Sequence, residues 1–463
     1  MLRYVAVVDL GKTNSKVAVV DTSIAEEVFV VKQAAVVKKD DLYPCLDHEV
    51  IEQFIVESLR SLAGRYVIDA ITITTHGATA ALIDAAGELV LPVLDYEFSG
   101  VDDLRSQYEP QRSEFAVTGS PPLPDGLNIG AQLYWQQSVF PELFSRVRWV
   151  LTWPQYWVYR LSGEIHNDVT SLGCHTDLYE PVNSRYSALV DELGWHSIMP
   201  PLARSGSLSG TLTAAMSSRT QLPADLPVYT GIHDSNASLV PHLQAQSVPF
   251  SVVSTGTWFI AMAVGGSVPE LDETQDMLLN VNARGESVPT ARFMGGRERE
   301  LLAPSVDSAD IGEQTLDQFL HNEDSPALLM PSMVQRTGPF PDARSAWLGT
   351  SVDNDPELHS CAVAFYLALM TDQCLQLVGS DGQIFIEGPL AQDHLYTRML
   401  SAVSDQTVSL SDTQTGTSVG AAMLISEPDK APEYQRVTLD SDRREQLRHY
   451  ASEWQAQLRL HVK

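Results

Sequence analysis

Apolar and polar positions divide the chain into short β-rich runs separated by polar turns and by stretches of helical spacing. Tyr4–Asp9 is a β-rich run, Gly11-Lys12-Thr13-Asn14 is a polar turn, and Ser15–Asp21 is β-rich again. That order predicts a strand–turn–strand hairpin, with a third strand over Val28–Val37. Within His48–Gly64 the apolar residues Val50, Ile51, Phe54, Ile55, Leu59 and Leu62 recur at helical spacing. Val67–Thr75 reads as a buried strand and ends in Thr75-His76-Gly77. From there to Val240 loops and helices mix, with helices predicted over Ile129–Gln137 and Pro154–Leu161. Trp153, Tyr156, Trp157 and Tyr159 share helical spacing, which fits a core face better than a sugar platform.

After Pro249 the pattern restarts. A strand over Phe250–Thr255, a turn at Gly256 and a strand over Trp258–Val264 repeat the opening hairpin. A long apolar helix (His359–Val378), a strand (Gln383–Glu387), a glycine turn at Gly388 and a helix over Asp393–Val403 follow. The same order occurs twice, so two similar α/β halves with the active cleft between them are expected, joined by a short hinge near residues 240–248. At 463 residues the chain is long enough for two domains, since single cores stop growing at about 250–300 residues.

Composition narrows the partners. Thirty Lys+Arg against 59 Asp+Glu give a net charge of −29, and such acidity disfavours nucleic acid and anionic membrane surfaces. Lysine occurs at 12, 16, 32, 38 and 39 and then not until 430 and 463, which excludes a Schiff-base or phosphate-binding lysine from the central body. Cys45, Cys174, Cys361 and Cys374 form no CxxC pair or metal-site spacing, so buried reduced thiols are expected. The N-terminal apolar run is too short for a signal peptide, and no run reaches the roughly 18 residues of a membrane span. A cytosolic protein is expected.

Two turns carry candidate chemistry. In Asp9-Leu10-Gly11-Lys12-Thr13-Asn14-Ser15-Lys16, glycine lets the backbone approach a ligand, hydroxyl and amide side chains offer donors, and two lysines add charge. Asp9 at the strand end suits a magnesium ion held through water. An ordinary hairpin turn accounts for the same residues, and no Walker motif is present. Ser254-Thr255-Gly256-Thr257-Trp258 repeats the feature without lysine. Between the halves lies Gly231-Ile232-His233-Asp234-Ser235-Asn236-Ala237, where Asp234 either accepts a hydroxyl proton or caps a helix starting at Ser235. His233 has no second metal ligand at suitable spacing, and the pairs His166/Asp168 and His175/Asp177 are equally weak metal signals.

These residues resemble the FGGY carbohydrate kinases, members of the actin-like, sugar-kinase and heat-shock-chaperone ATPase superfamily. The resemblance rests on six short motifs in order: DLGKTNSK at the start, THG at 75–77, GIHDSNAS at 231–238, STGTW at 254–258, EGP at 387–389 and GTSVGAAM at 416–423. Leu133–Glu180 is similar to the family's sugar-domain stretch, with Tyr159-Arg160-Leu161-Ser162-Gly163-Glu164 at its centre. It implies an α/β fold of two actin-like (ribonuclease H-like) domains: residues 1–242, binding sugar and carrying the first phosphate loop, and residues 243–463, binding nucleotide. It implies ATP and Mg²⁺ as cofactors, a small sugar as substrate, and a homodimer, the common state of the family.

Position by position, Asp234 matches the catalytic base. Asp9, with Asp234, matches the magnesium-positioning carboxylates. Gly11, Lys12, Thr13 and Asn14 fall on the first phosphate loop, Gly256 and Thr257 on the second. Gly388 matches the adenosine-side turn, and Gly416 lies near the adenine pocket. His76 matches a sugar contact, with Asp95, Tyr96 and Asp168 as further sugar-side candidates. The chain also departs from the family. Lys12 stands where a small hydroxyl residue is usual, Glu387-Gly388-Pro389 replaces three glycines, and the stretch at Ala131-Gln132 lacks the usual lysine. Phe293-Met294-Gly295-Gly296-Arg297-Glu298 matches no family motif, and Arg297 reads either as a substrate contact or as a surface ion pair. The implied reaction is transfer of the ATP γ-phosphate to a ketose such as xylulose, ribulose, rhamnulose or fuculose. A polyol kinase and an actin- or chaperone-like ATP-driven binding protein share the two turns and stand as alternatives.

Overall fold

A computed structural model describes residues 2–40, 42–321, 325–352, 354–411, 416–426 and 433–462. The chain divides into two units. Unit 1 comprises Met1–Ala245, Leu279–Ser287 and Thr415–Ala431; unit 2 comprises Gln246–Leu278, Val288–Gln414 and Pro432–Lys463.

The sheet of unit 1 grows from the predicted hairpin. Tyr4–Leu10 pairs antiparallel with Asn14–Asp21, which pairs antiparallel with Glu26–Ala34. On its other side Tyr4–Leu10 runs parallel to Ala70–Thr75. Pro227–Tyr229 and the two-residue strand Ile232–His233 both pair parallel to Ala70–Thr75. The predicted third strand breaks early: Val37–Lys39 leaves it and forms a small ladder with Pro44–Leu46. The helix His48–Leu62 starts at Asp47, whose carboxylate accepts the Val50 N–H at 3.2 Å. Its apolar face joins Val8, Val17, Ile71 and Trp157 in one core. Trp153, Tyr156 and Trp157 are buried there, as the spacing of the aromatic residues predicts.

Unit 2 repeats the topology. Phe250–Thr255 pairs antiparallel with Phe259–Val264, which pairs antiparallel with Ser287–Phe293. Its other edge runs parallel to Gln383–Glu387, which runs parallel to Val408–Ser411. The core forms around the helix Pro356–Leu377, of whose 22 residues 15 are buried. A helix apolar on every side is stable only when enclosed, and truncating a buried leucine such as Leu369 to alanine costs about 2–5 kcal/mol. The four cysteines are free thiols and buried. Among the described residues no helix is long and apolar enough to cross a membrane.

Candidate active site

The parallel pairing in unit 1 brings three strand ends together. Leu10 lies beside Thr75, and His233 pairs with Thr75. The residues that follow, Gly11 and Lys12, His76, and Asp234, therefore leave the sheet at the same edge. Ligands in open α/β sheets collect at the carboxyl ends of parallel strands for this reason.

Asp234 opens the helix Asp234–Ala245. Its Oδ1 accepts the Ser235 N–H at 2.6 Å and the Ser235 hydroxyl at 3.3 Å. An N-cap carboxylate accepts from N–H groups two or three residues ahead, so this is not capping geometry. Oδ2 has no partner among the described residues. The side chain keeps 29% of its surface open, yet protein encloses most of the carboxyl. That burial pushes it up to about 6, with the Asp9 charge adding to the shift and His76 and Ser235 opposing it.

Two histidines flank the acid. Burial holds His233 down to about 4, so it is neutral at physiological pH, with Nε2 3.5 Å from Asp234 Oδ1. Its Nδ1 is buried without a hydrogen-bond partner among the described residues. Burial also lowers His76, whose Nδ1 lies 2.9 Å from the Gly77 carbonyl. A carbonyl only accepts, so Nδ1 carries the proton and Nε2 is left as an acceptor. The His76 ring meets Tyr96 edge-on, with centroids 5.5 Å apart.

Asp9 sits at the end of the first strand. Its Oδ2 accepts from the Thr417 and Ser418 hydroxyls, the latter at 3.0 Å, and lies 3.2 Å from Lys16 Nζ. Oδ1 has no partner among the described residues. Lys16 also pairs with Glu27 at 2.8 Å; burial works against its charge, but the two carboxylates outweigh it and the ammonium is held above its ordinary range. Gly416 precedes the helix Thr417–Met423 and lies beside Lys16 Nζ. Gly420 packs that helix on Ala237, where a Cβ would come within 1.9 Å of the Ala237 carbonyl. The motif at 416–423 thus delivers its two hydroxyls to Asp9, a role its sequence alone does not announce.

In the first turn the Gly11 N–H donates to the Asn14 carbonyl at 2.9 Å, while Thr13 and Asn14 stay exposed. Lys12 turns away from them. It pairs with Asp95, lies 3.4 Å from Glu97 and stands 4.3 Å over the Tyr96 ring. Asp168 is fully buried. Its Oδ1 accepts the Thr170 N–H at 2.9 Å, the Ser171 N–H at 3.3 Å and the Thr170 hydroxyl, while Oδ2 takes the Ser205 hydroxyl. Burial still pushes it up to about 6. The Thr170 oxygen in turn accepts the His233 N–H at 3.0 Å, so Asp168 props the strand that leads into Asp234.

Unit 2 places the second turn on a pocket of about 460 Å³. Thr255, Gly256 and Thr257 form one wall, and Arg299 and Glu300 lie on another. Gly388, at φ +85°, turns so closely past Thr255 that a Cβ would lie 2.9 Å from its Oγ1. That oxygen donates to the Glu387 carbonyl at 2.6 Å and accepts the Leu390 N–H at 3.1 Å. The unassigned segment at 293–298 runs from the end of the strand Ser287–Phe293 into the helix Gly295–Leu302, and its Gly296 N–H donates to the Thr257 carbonyl at 3.2 Å. Glu298 anchors that helix from behind, accepting from Tyr366 at 2.7 Å and from the N–H groups of Met333 and Val334 at 3.1 Å. Arg297 is half exposed and pairs with Glu300 at 2.8 Å, so of its two readings the ion pair is the one observed.

Two family models match most of the chain. The N-terminal domain of the FGGY family of carbohydrate kinases matches residues 4–241, and the family's C-terminal domain matches residues 247–433. The chain belongs to the FGGY family of carbohydrate kinases. An L-fuculokinase from Salmonella typhi is 26% identical over 278 residues, a match spanning 57% of this chain and 57% of that enzyme. The crystal structure of a carbohydrate kinase from Novosphingobium aromaticivorans is 33% identical, with 99% of both chains covered and a TM-score of 0.90. A xylulose kinase from Lactobacillus acidophilus shares the fold at 14% identity, with a TM-score of 0.80 over 99% of this chain and 98% of that one. The two mixed sheets of this FGGY chain are the sheets of that fold.

Proposed function

We propose that this FGGY protein is an ATP-dependent kinase that moves the γ-phosphate to a hydroxyl of a small ketose, with Asp234 as the general base. The reading is carried by Asp234: a carboxyl pushed up to about 6, with one oxygen unengaged among the described residues, at the edge where three parallel strand ends meet. A base works best when its pKa lies near the operating pH, because it is then ionised and still basic enough to take the proton. Membership of a family of carbohydrate kinases, and relatives named for L-fuculose and xylulose, support a ketose acceptor.

Phosphoryl transfer asks a protein chiefly to position donor and acceptor and to stabilise charge. His76 Nε2 offers an acceptor to a sugar hydroxyl, and Tyr96 gives the sugar an aromatic wall. Asp168 acts behind them as a positioning residue through Thr170 and His233. The exposed donors of Thr13 and Asn14 and the amides of the first turn take phosphate oxygens. In unit 2 the pocket beside Thr255, Gly256 and Thr257 takes the nucleotide, and its volume lies within the usual range for small-molecule sites.

Magnesium is assigned to Asp9 and Asp234. Each keeps one carboxylate oxygen without a partner among the described residues, and Mg²⁺ suits one or two carboxylates completed by phosphate and water oxygens. When bound, the ion offsets phosphate charge. The sugar hydroxyl gives its proton to Asp234 as its oxygen attacks the γ-phosphorus, and ADP leaves with the β–γ bridging electrons. The test is a coupled ADP-release assay over ketoses, aldoses and polyols, followed by identification of the phosphorylated product. A phosphoketose is the expected product. ADP release that no sugar stimulates contradicts the reading and favours an ATP-driven binding protein.

A further inference from the structure

The lysine of the first turn lies against two carboxylates and an aromatic ring. Lys12 Nζ pairs with Asp95 Oδ1, has Glu97 as a second carboxylate at 3.4 Å and lies 4.3 Å from the centre of the Tyr96 ring. Two carboxylates and an aromatic face offset its charge locally, and reaching a triphosphate would mean abandoning all three. Asp95 is nearly buried, and its Oδ1 also accepts the Glu97 N–H at 3.2 Å. Its Oδ2 has no partner among the described residues. The Tyr96 ring stands against His76, and His76 lies in the field of Asp234, so the pair belongs to the neighbourhood of the base.

An ammonium beside a half-used carboxylate presents a donor and an acceptor at adjacent points. That arrangement matches two neighbouring hydroxyls, one accepting from Nζ and the other donating to Oδ2. Each group also holds the other in place. Without Lys12, Asp95 would be a second uncompensated carboxylate near Asp234, and without Asp95 the ammonium would be free to swing toward phosphate.

We propose that Lys12 and Asp95 act together as a specificity element that grips a vicinal diol of the acceptor sugar, and that Lys12 is not a ligand of the nucleotide phosphates. The proposal rests on the sugar-kinase reading above. Its test uses the full chain and the Lys12→Met and Asp95→Asn variants, with D-xylulose, L-fuculose and MgATP as probes. In the coupled assay the KM for the better ketose should rise tenfold or more in each variant. The KM for MgATP should stay within about twofold of wild type. Calorimetric titration of the same sugars and of MgATP gives the same comparison without turnover, so it separates this proposal from the kinase assignment. Weakened sugar binding with intact MgATP binding supports the diol grip even where turnover is absent. A raised KM or Kd for MgATP in Lys12→Met, with sugar affinity unchanged, overturns it and returns Lys12 to the phosphates.

Discussion

At the scale of single residues, the site is governed by what surrounds each acid. Asp234 and Asp168 are both held up to about 6 by burial, yet of the two only Asp234 keeps an oxygen without a partner among the described residues. The same shift therefore has two meanings: a base in one case, an internal strut in the other. The sign for catalysis follows directly. Below about pH 6 Asp234 is protonated and cannot accept the hydroxyl proton, whereas burial holds His233 down to about 4 and lowers His76 from its ordinary range. The sugar kcat/KM should be flat above pH 7 and fall about tenfold per unit well below pH 6. A pH–rate profile checks this, and a rate unchanged down to pH 4.5 contradicts it.

At the scale of elements, close packing places the acids. Gly420 lets the helix Thr417–Met423 lie on the helix Asp234–Ala245, and that contact carries Thr417 and Ser418 to Asp9. Gly420→Ala would drive a methyl into the Ala237 carbonyl and separate the helices. The expected result is a loss of about 1–3 kcal/mol of stability and at least a tenfold drop in kcat, read by thermal unfolding and steady-state rates. Much of the framework was legible before folding because it is local. The runs Tyr4–Asp9, Phe250–Thr255 and Gln383–Glu387 are β-rich, and the structure has them as strands with at most one residue added. The long helix begins at Pro356 instead of the expected His359, because Asp355 caps it and proline suits its first turn. The pairing of Thr417 and Ser418 with Asp9 spans more than 400 positions, and no local pattern reports it. Lys12 with Asp95 and Thr170 with His233 are hidden for the same reason. The GGRE segment gave no signal because its acid, Glu298, works by burial against Tyr366 and two backbone amides.

At the scale of the whole molecule, a net charge of −29 must coexist with an anionic cosubstrate. Local turns rich in N–H groups attract phosphate at short range, while the distant acidic surface repels it at long range. Raising ionic strength from about 0.01 M to 0.15 M shortens the Debye length from about 30 Å to 8 Å, which weakens the repulsion first. The kcat/KM for MgATP should therefore hold steady or rise with salt, as stopped-flow or steady-state rates will show. A steep fall would mean that an unrecognised basic surface steers the nucleotide. Beyond that field, phosphoryl transfer depends on one side chain. The most direct test is Asp234→Ala, assayed for sugar-dependent ADP release and, separately, for MgATP binding by calorimetry. Turnover should fall by at least a hundredfold, with the Kd for MgATP within a few-fold of wild type. Turnover within a few-fold of wild type would contradict it.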